Sequence, residues 1–124
     1  MTTKYTTEHA WINIEDHDAA VAGITTHAQH TLGDVVFVEL PKVGSILRQG
    51  AVAGVVESVK AAADVHMPVS GEIVEVNEAL RADPSLANTD PLGSGWFFKV
   101  KLSDMTEFDQ LMDGPAYDKL VKNA

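Results

Sequence analysis

The sequence predicts a mainly β protein with a helical C-terminus, folded as a sandwich or flattened barrel. Short runs of alternating or β-branched apolar residues, separated by glycine and proline, fill residues 11–102, as is typical of antiparallel β proteins. After residue 104 the apolar residues recur at helical spacing instead. A weak internal echo, in which residues 43–47 resemble residues 69–74, favours two similar β units.

The N-terminal part predicts a hairpin and a short helix. Residues 11–14 alternate apolar and polar side chains, residues 16–18 form a polar turn, and residues 19–24 can return as the second strand. The motif T-x-x-Q at residues 26–29 is a capping box that predicts a helix start at its threonine. Gly33 can end that helix.

A series of strands follows. Residues 34–40 are rich in β-branched side chains and stop at Pro41, which cannot continue a central strand. Glycines and prolines then separate three further strand-like runs, at residues 45–47, 51–58 and 72–76. Asn77 can cap a short helix over residues 78–81, and Pro84 opens a loop. Residues 96–102 are the last predicted strand.

The tail is predicted to be helical over about residues 104–122. The motif D-x-x-E at residues 104–107 is a second capping box. Four apolar residues then recur at helical spacing: Met105, Phe108, Leu111 and Met112. A Gly-Pro pair stops this helix and can start another over residues 116–122.

Length and composition exclude several classes of protein. The 124 residues predict a single domain over residues 1–124. The absence of cysteine excludes disulfides, a cysteine nucleophile and thiolate metal sites. With 9 Lys and Arg against 18 Asp and Glu, the net charge of −9 makes nucleic acid or an anionic membrane an unexpected partner. We see no spanning segment and no signal or transit peptide, so we expect a cytoplasmic protein.

Lys60 is the most informative residue, because it lies between two strand-like segments and is predicted to occupy a hairpin tip. An amine at an exposed tip, flanked by small residues, is accessible to a modifying enzyme. An ordinary solvated turn lysine is the plain alternative. A Schiff-base lysine is disfavoured, because Glu57 and Asp64 would keep the amine protonated.

Other candidate sites are weaker. His27 and His30 can share a helix face, but further metal ligands are not evident, so we interpret them as solvated helix residues. His66 could reach Lys60. The motif G-x-G at residues 93–95 precedes a strand rather than a helix, so it does not predict a phosphate site. Because no catalytic constellation is visible, the chain is not expected to be an enzyme.

Residues 55–61 followed by residues 68–77 closely resemble the H-protein family of the glycine cleavage system. The likeness extends over about residues 5–120. It includes five further segments, at residues 9–12, 23–25 with 28–29, 32–41, 88–91 and 95–100.

This resemblance implies a lipoyl/biotinyl-type flattened barrel of two small antiparallel sheets, a barrel-sandwich hybrid with short helices and a C-terminal helix. It implies that Lys60 carries lipoate in amide linkage and that the protein is a carrier rather than a catalyst. The residues expected to present the lysine to the lipoate-attaching enzyme are Glu57, Ser58, Val59, Ala61 and Asp64.

The resemblance also implies three partner enzymes. Glycine decarboxylase (the P protein) would load an aminomethyl group onto the carrier, and aminomethyltransferase (the T protein) would pass the one-carbon unit to tetrahydrofolate. Dihydrolipoyl dehydrogenase (the L protein) would reoxidise the arm. An acidic carrier can be steered toward basic docking surfaces on such enzymes.

One departure from the family pattern concerns position 10. The family commonly has a glutamate just before the tryptophan, where this chain has Ala10, and Glu8 could substitute for it.

Three different functions stay open beside the glycine cleavage carrier. A biotinyl carrier has a similar fold but typically flanks its lysine with methionines, whereas Val59 and Ala61 flank Lys60. A lipoyl relay protein would accept lipoate but serve another pathway. An unmodified protein-binding module would use Lys60 only as a turn residue.

Overall fold

The computed structural model describes residues 3–17 and 19–122, which form nine strands and five short helices. The strands are β1 (Thr3–Tyr5), β2 (Ala10–Asp16), β3 (Ala19–Ile24), β4 (Val35–Glu39), β5 (Ile46–Leu47), β6 (Val52–Ser58), β7 (Ala62–His66), β8 (Gly71–Val76) and β9 (Phe98–Leu102). The helices are α1 (Thr26–Leu32), α2 (Glu78–Ala82), α3 (Leu86–Thr89), α4 (Met105–Asp109) and α5 (Gly114–Lys122).

The strands form two antiparallel sheets, which confirms the predicted fold class. The larger sheet has six strands in the order β1-β2-β3-β9-β8-β5, and the smaller has three in the order β4-β6-β7. The two segments of the internal echo become β5 and β8, which pair with each other. In the described part of the chain, no helix has both the length and the apolar character needed to cross a membrane.

The core lies between the two sheets. The larger sheet contributes Ile12, Ile73 and Val100, which are fully buried, and the smaller contributes Val38 and Val56. Burying a side chain of this size stabilises a fold by about 1.5–3 kcal/mol, so these strand faces hold the sheets together.

Trp11 is buried and connects a loop to the core. Its ring covers Gly23, where an added Cβ would lie 2.9 Å from the indole nitrogen. That nitrogen donates a hydrogen bond to the carbonyl oxygen of Pro91 at 2.9 Å. A glycine is therefore required at position 23, because any side chain there would displace the indole.

Two predicted helix caps differ in the structure. Thr25, one residue before the predicted threonine, caps α1 by accepting a hydrogen bond from the amide of Ala28. Asn77 does precede α2, but its side chain donates to the carbonyls of Ser94 and Trp96, both at 2.8 Å. For Asn77, a tertiary contact competes with the local motif and determines the side chain's partner.

The second capping box also lacks its reciprocal bond. Asp104 caps α4, but the Glu107 carboxylate accepts bonds from the backbone and hydroxyl of Ser70, 37 residues away. Helix α4 ends at Asp109, so Leu111 and Met112 lie beyond it. The tail is helical as predicted, with the break earlier than its apolar spacing suggests.

Three elements were not predicted with bounds, and one predicted residue cannot be compared. Strand β7 was implied only by the hairpin predicted around Lys60. Strand β1 has only three residues, too few for an alternation signal, and Tyr5 at its end exchanges backbone hydrogen bonds with Met112. Helix α3 forms where the sequence predicted a loop after Pro84. The hairpin of β2 and β3 is confirmed, although Asp18 of its turn lies outside the described residues.

Candidate functional site

Lys60 lies at the tip of the hairpin of β6 and β7, as predicted. The last paired residues of that ladder are Glu57 and Ala62, and the Ser58 amide donates to the Ala61 carbonyl at 2.7 Å across the turn. The Lys60 side chain is exposed. The chain therefore presents one primary amine at the end of a regular two-stranded element.

Ser58 holds the backbone of this turn in place. Its hydroxyl oxygen accepts hydrogen bonds from the amides of Lys60 at 3.3 Å and Ala61 at 3.0 Å. A serine hydroxyl that satisfies turn amides competes well with water for them. The backbone of Lys60 is therefore held in place while its side chain stays exposed.

A second anchor joins the tip to the loop between α1 and β4. The Val59 amide donates to the Asp34 carbonyl at 3.1 Å. The stem of Lys60 lies over Gly33, where an added Cβ would be 3.4 Å from the Lys60 Cε atom. Gly33 has a φ of +78°, a backbone conformation that favours glycine.

Asn88 of α3 stabilises this loop, a role that the sequence did not reveal. Its Oδ1 accepts from the Val35 amide at 2.8 Å, and its Nδ2 donates to the Gly33 carbonyl at 2.7 Å and to Gln29 at 2.9 Å. The only sequence signal was the position of Asn88 in a segment resembling the family. The three partners are distant in sequence, so no local pattern could predict them.

The other expected attachment residues lie along the same hairpin. Glu57 is the last residue before the turn and is exposed, and Val59 and Ala61 flank the lysine. Asp64 pairs with Val55 and so lies two residues farther from the tip. All five expected attachment residues, including Ser58, therefore lie on this one hairpin, and Asp64 is the farthest from the tip.

A cleft of about 200 Å³ runs beside β7, which is an edge strand, and faces α1. Its walls are largely apolar and include Ile24, Leu32, Val56 and Val65. Its polar lining comprises Glu8, His9, His27, Thr31, Asp64 and His66. This shape and composition suit a flexible apolar chain that carries a polar group at one end.

Of the two α1 histidines interpreted as solvated, only His30 agrees with that interpretation. His27 is half-buried in the cleft, with its ring centroid 4.6 Å from that of His9, whereas His30 is exposed. His66 ends β7, roughly 13 Å along the strand from Ala62, so the expected approach to Lys60 is wrong. Within residues 3–17 and 19–122, no group of three or more His, Asp or Glu side chains can hold a metal ion.

His66 instead faces Glu8. The His66 Nδ1 atom lies 3.9 Å from the Glu8 carboxylate, and this nitrogen is buried without a hydrogen bond among the described residues. Ala10, where the family commonly has glutamate, also lines the cleft and is 4 % exposed. Glu8 therefore supplies a carboxylate to the cleft, to which Ala10 contributes only a methyl group.

The C-terminal helix supports the cleft through Tyr117. The Tyr117 hydroxyl lies 2.7 Å from both His9 Nδ1 and Thr25 Oγ1. Burial raises the pKa of Tyr117, and burial followed by the neighbouring His27 lowers the pKa of His9, with Glu8 opposing. Both groups are therefore neutral near pH 7, as buried hydrogen-bonding residues generally are.

Comparison with known proteins gives consistent matches over nearly the whole chain. The family model described as glycine cleavage H-protein matches residues 3–124. The glycine cleavage system H protein of Methylocella silvestris is 57 % identical over 119 residues, covering 96 % of this chain and 94 % of that protein. The corresponding protein of Thermotoga maritima is 55 % identical over 116 residues, covering 94 % and 93 %.

A solved structure agrees in fold as well as in sequence. The crystal structure of a glycine cleavage system H protein from Mycobacterium marinum superposes with a TM-score of 0.90 at 38 % identity. The match covers 98 % of this chain and 97 % of the other.

Proposed function

The chain belongs to the glycine cleavage H-protein family and has the role of a lipoyl carrier in the glycine cleavage system; from this we propose that Lys60 carries the lipoyl group. The observation that supports the proposal most directly is the hairpin tip, where Ser58 fixes the lysine backbone and leaves the amine exposed. An attaching enzyme needs an amine of this kind, which it can reach without unfolding the carrier.

The residues around the tip have different roles in presenting Lys60 to the attaching enzyme. Ser58 sets the shape of the turn, and Val59 is tied to the neighbouring loop. Glu57, Ala61 and Asp64 provide the surface that the attaching enzyme reads beside the lysine. Amide formation removes the charge of the amine, so the modified side chain can rest on an apolar wall without burying an ion.

The cleft beside β7 fits the lipoyl group, because apolar side chains such as Ile24 and Leu32 form its walls. When bound, that group supplies a disulfide that can open to accept the aminomethyl unit of glycine and later re-form. Glu8 provides the negative charge in the cleft that Ala10 does not, and it can hold a cationic nitrogen there. His9 and His27 are neighbours on the same wall, with ring centroids 4.6 Å apart.

The proposed partners are glycine decarboxylase (P protein), aminomethyltransferase (T protein), dihydrolipoyl dehydrogenase (L protein) and the lipoate-attaching enzyme. In this scheme the chain catalyses no step itself, and its rigid body delivers one arm to several active sites. Tethering raises the effective concentration of the arm at each docked enzyme. The net charge of −9 favours fast, salt-sensitive encounters with basic surfaces. We place this activity in the cytoplasm, which cell fractionation would check.

Intact-mass measurement tests the attachment. The unmodified protein is incubated with lipoate, ATP and a lipoate–protein ligase, and the product is mapped by peptide digestion. We expect one lipoyl increment on Lys60, its loss in Lys60→Arg, and its retention in Lys42→Arg, a matched change at another exposed lysine. No increment under conditions that modify a known lipoyl domain would overturn the proposal.

The modified protein then tests the pathway. With glycine decarboxylase it should support exchange of bicarbonate into the glycine carboxyl group. A carrier that accepts lipoate but gives no exchange would be a relay protein for another pathway, whereas retention on avidin would indicate a biotinyl carrier.

A further inference from the structure

The outward surface of the three-stranded sheet carries six side chains in two cross-strand rows. Directly opposed residues of antiparallel strands point to the same side of a sheet, so the ladder fixes both rows. The row next to the hairpin tip is Phe37, Glu57 and Ala62, and the next row is Glu39, Val55 and Asp64. We name these six residues the outer face.

The outer face combines an exposed aromatic ring with negative charge. Phe37 is 49 % exposed, although a ring of this size is usually buried in a protein. Three of the six residues are carboxylates and none is a cation, and the carboxylates are all exposed. Val59, 71 % exposed at the tip, continues the apolar surface toward the lysine.

The position of this face matters as much as its composition. On the outward side of the sheet, the row of Phe37 and Glu57 is the last one before the turn that holds Lys60, because the pair nearer the tip, Val35 with Ser58, has its valine buried. A protein that places its active site on the Lys60 amine must therefore cover the row nearest the tip. Nothing in the described chain packs over that row, since Phe37, Glu57 and Ala62 are all exposed.

We propose that the outer face docks the lipoate-attaching enzyme, through an apolar pocket for Phe37 rimmed by lysine or arginine. The proposal rests on Lys60 being the attachment site. The attaching enzyme must bring its acyl donor to the Nζ atom itself, before any arm exists. Enzymes that act later react with the far end of a long arm, so they need not contact the sheet. The attaching enzyme is therefore the partner that must contact the surface beside the amine.

The chemical step is an acyl transfer. The Nζ atom of Lys60, as the free amine, attacks the carbonyl carbon of a lipoyl adenylate. The new amide C–N bond forms as the C–O bond to the phosphate of AMP breaks, and the amine gives up one proton. ATP and lipoate supply the adenylate with release of pyrophosphate. No electron transfer is involved, so docking geometry determines which lysine reacts.

The chain offers a matched control for this surface. Ile46 and Glu72 form a second exposed apolar–acidic pair, directly opposed on β5 and β8 of the other sheet. Phe37→Thr with Glu57→Gln removes the proposed anchor and one charge while keeping strand-compatible residues. Ile46→Thr with Glu72→Gln makes the same kind of change away from the hairpin.

The test measures kcat/KM for lipoyl attachment by a lipoate–protein ligase, followed by intact mass. We expect the Phe37/Glu57 variant to lose about tenfold in kcat/KM, as for an anchor residue at an interface, and the Ile46/Glu72 variant to lose less than twofold. Equal rates for the two variants would overturn the proposal. Failure of the wild-type protein to be modified would instead reject Lys60 as the attachment site.

A second variant covers the case in which Phe37→Thr disturbs the fold. Glu39→Gln with Asp64→Asn changes only charge, in the row farther from the tip. It should leave the melting temperature near that of the wild type and reduce the dependence of kcat/KM on salt concentration. An unchanged salt dependence would show that the carboxylates of the outer face do not guide docking.

Discussion

At the scale of single residues, the cleft depends on side chains that are neutral because they are buried. His9 has a φ of +64° and accepts or donates one hydrogen bond with Tyr117. Its pKa is lowered chiefly by burial and then by His27, against the opposing effect of Glu8. A proton on His9 would therefore favour the unfolded chain, in which the imidazole is hydrated.

This predicts a pH dependence of stability with a definite sign. In the unfolded chain His9 titrates near its ordinary pKa of 6.5, above its pKa in the folded protein. Between the two pKa values the unfolded chain binds more protons, so the free energy of unfolding decreases as pH falls through 6.5 and levels off below the lowered pKa. Denaturant unfolding measured from about pH 7.5 to about pH 5 checks this.

The variant His9→Asn isolates the effect, because asparagine tolerates a positive φ and does not titrate. As pH falls over the same range, the free energy of unfolding should decrease less in His9→Asn than in the wild type. His30→Asn removes an exposed histidine and serves as the control. Identical pH profiles for the wild type and His9→Asn would contradict the assignment.

At the scale of secondary-structure elements, the hairpin that holds Lys60 relies on the end of α1. Gly33 ends that helix with φ +78° and ψ −150°, a region that residues other than glycine rarely occupy. The stem of Lys60 crosses this glycine. A side chain at position 33 would therefore have two effects: strain from the positive φ, and contact with the Lys60 stem. A second glycine with positive φ but no such contact allows the two effects to be measured separately.

Gly33→Ala and Gly44→Ala form the comparison. Both glycines have positive φ, but an added Cβ meets the Lys60 stem at position 33 and nothing within 4 Å at position 44. Backbone strain should lower the free energy of unfolding by about 1–3 kcal/mol in each variant. Only Gly33→Ala should also slow lipoyl attachment, measured by intact mass on the folded protein. Equal attachment rates would indicate that the stem moves aside without cost.

At the scale of the whole molecule, Tyr117 joins segments from both ends of the chain. It lies on the C-terminal helix, stacks on Tyr5 with ring centroids 4.8 Å apart, and reaches His9 and Thr25 with its hydroxyl. The helical tail therefore supports the wall of the cleft through the Tyr117 hydroxyl.

Tyr117→Phe should lower the free energy of unfolding by about 1–3 kcal/mol, since it leaves the Thr25 and His9 polar atoms without their buried partner. Tyr5→Phe retains the ring stack and should change stability much less. Chemical denaturation of both variants at neutral pH measures the difference. A loss as large in Tyr5→Phe would contradict the special role of the Tyr117 hydroxyl, because that variant keeps both the ring stack and the Tyr117 hydrogen bonds.

Much of this molecule could be predicted from local sequence. Alternation and punctuation predicted both sheet-forming regions, and the position of Lys60 between two strand-like segments predicted the hairpin that presents it. These signals depend on neighbours within a few residues, so they can be recognised from the sequence alone. The family resemblance also lies in such segments.

The tertiary structure decided the partners of the polar side chains and the composition of the cleft. Thr25 rather than Thr26 caps α1, and Glu107 turns to Ser70, because contacts across the fold compete with equally plausible local ones. Glu8, His27 and His66 meet in one cavity although 58 residues separate the first from the last. Local pattern determines which elements form, whereas the free energy of packing them together determines which side chains face one another.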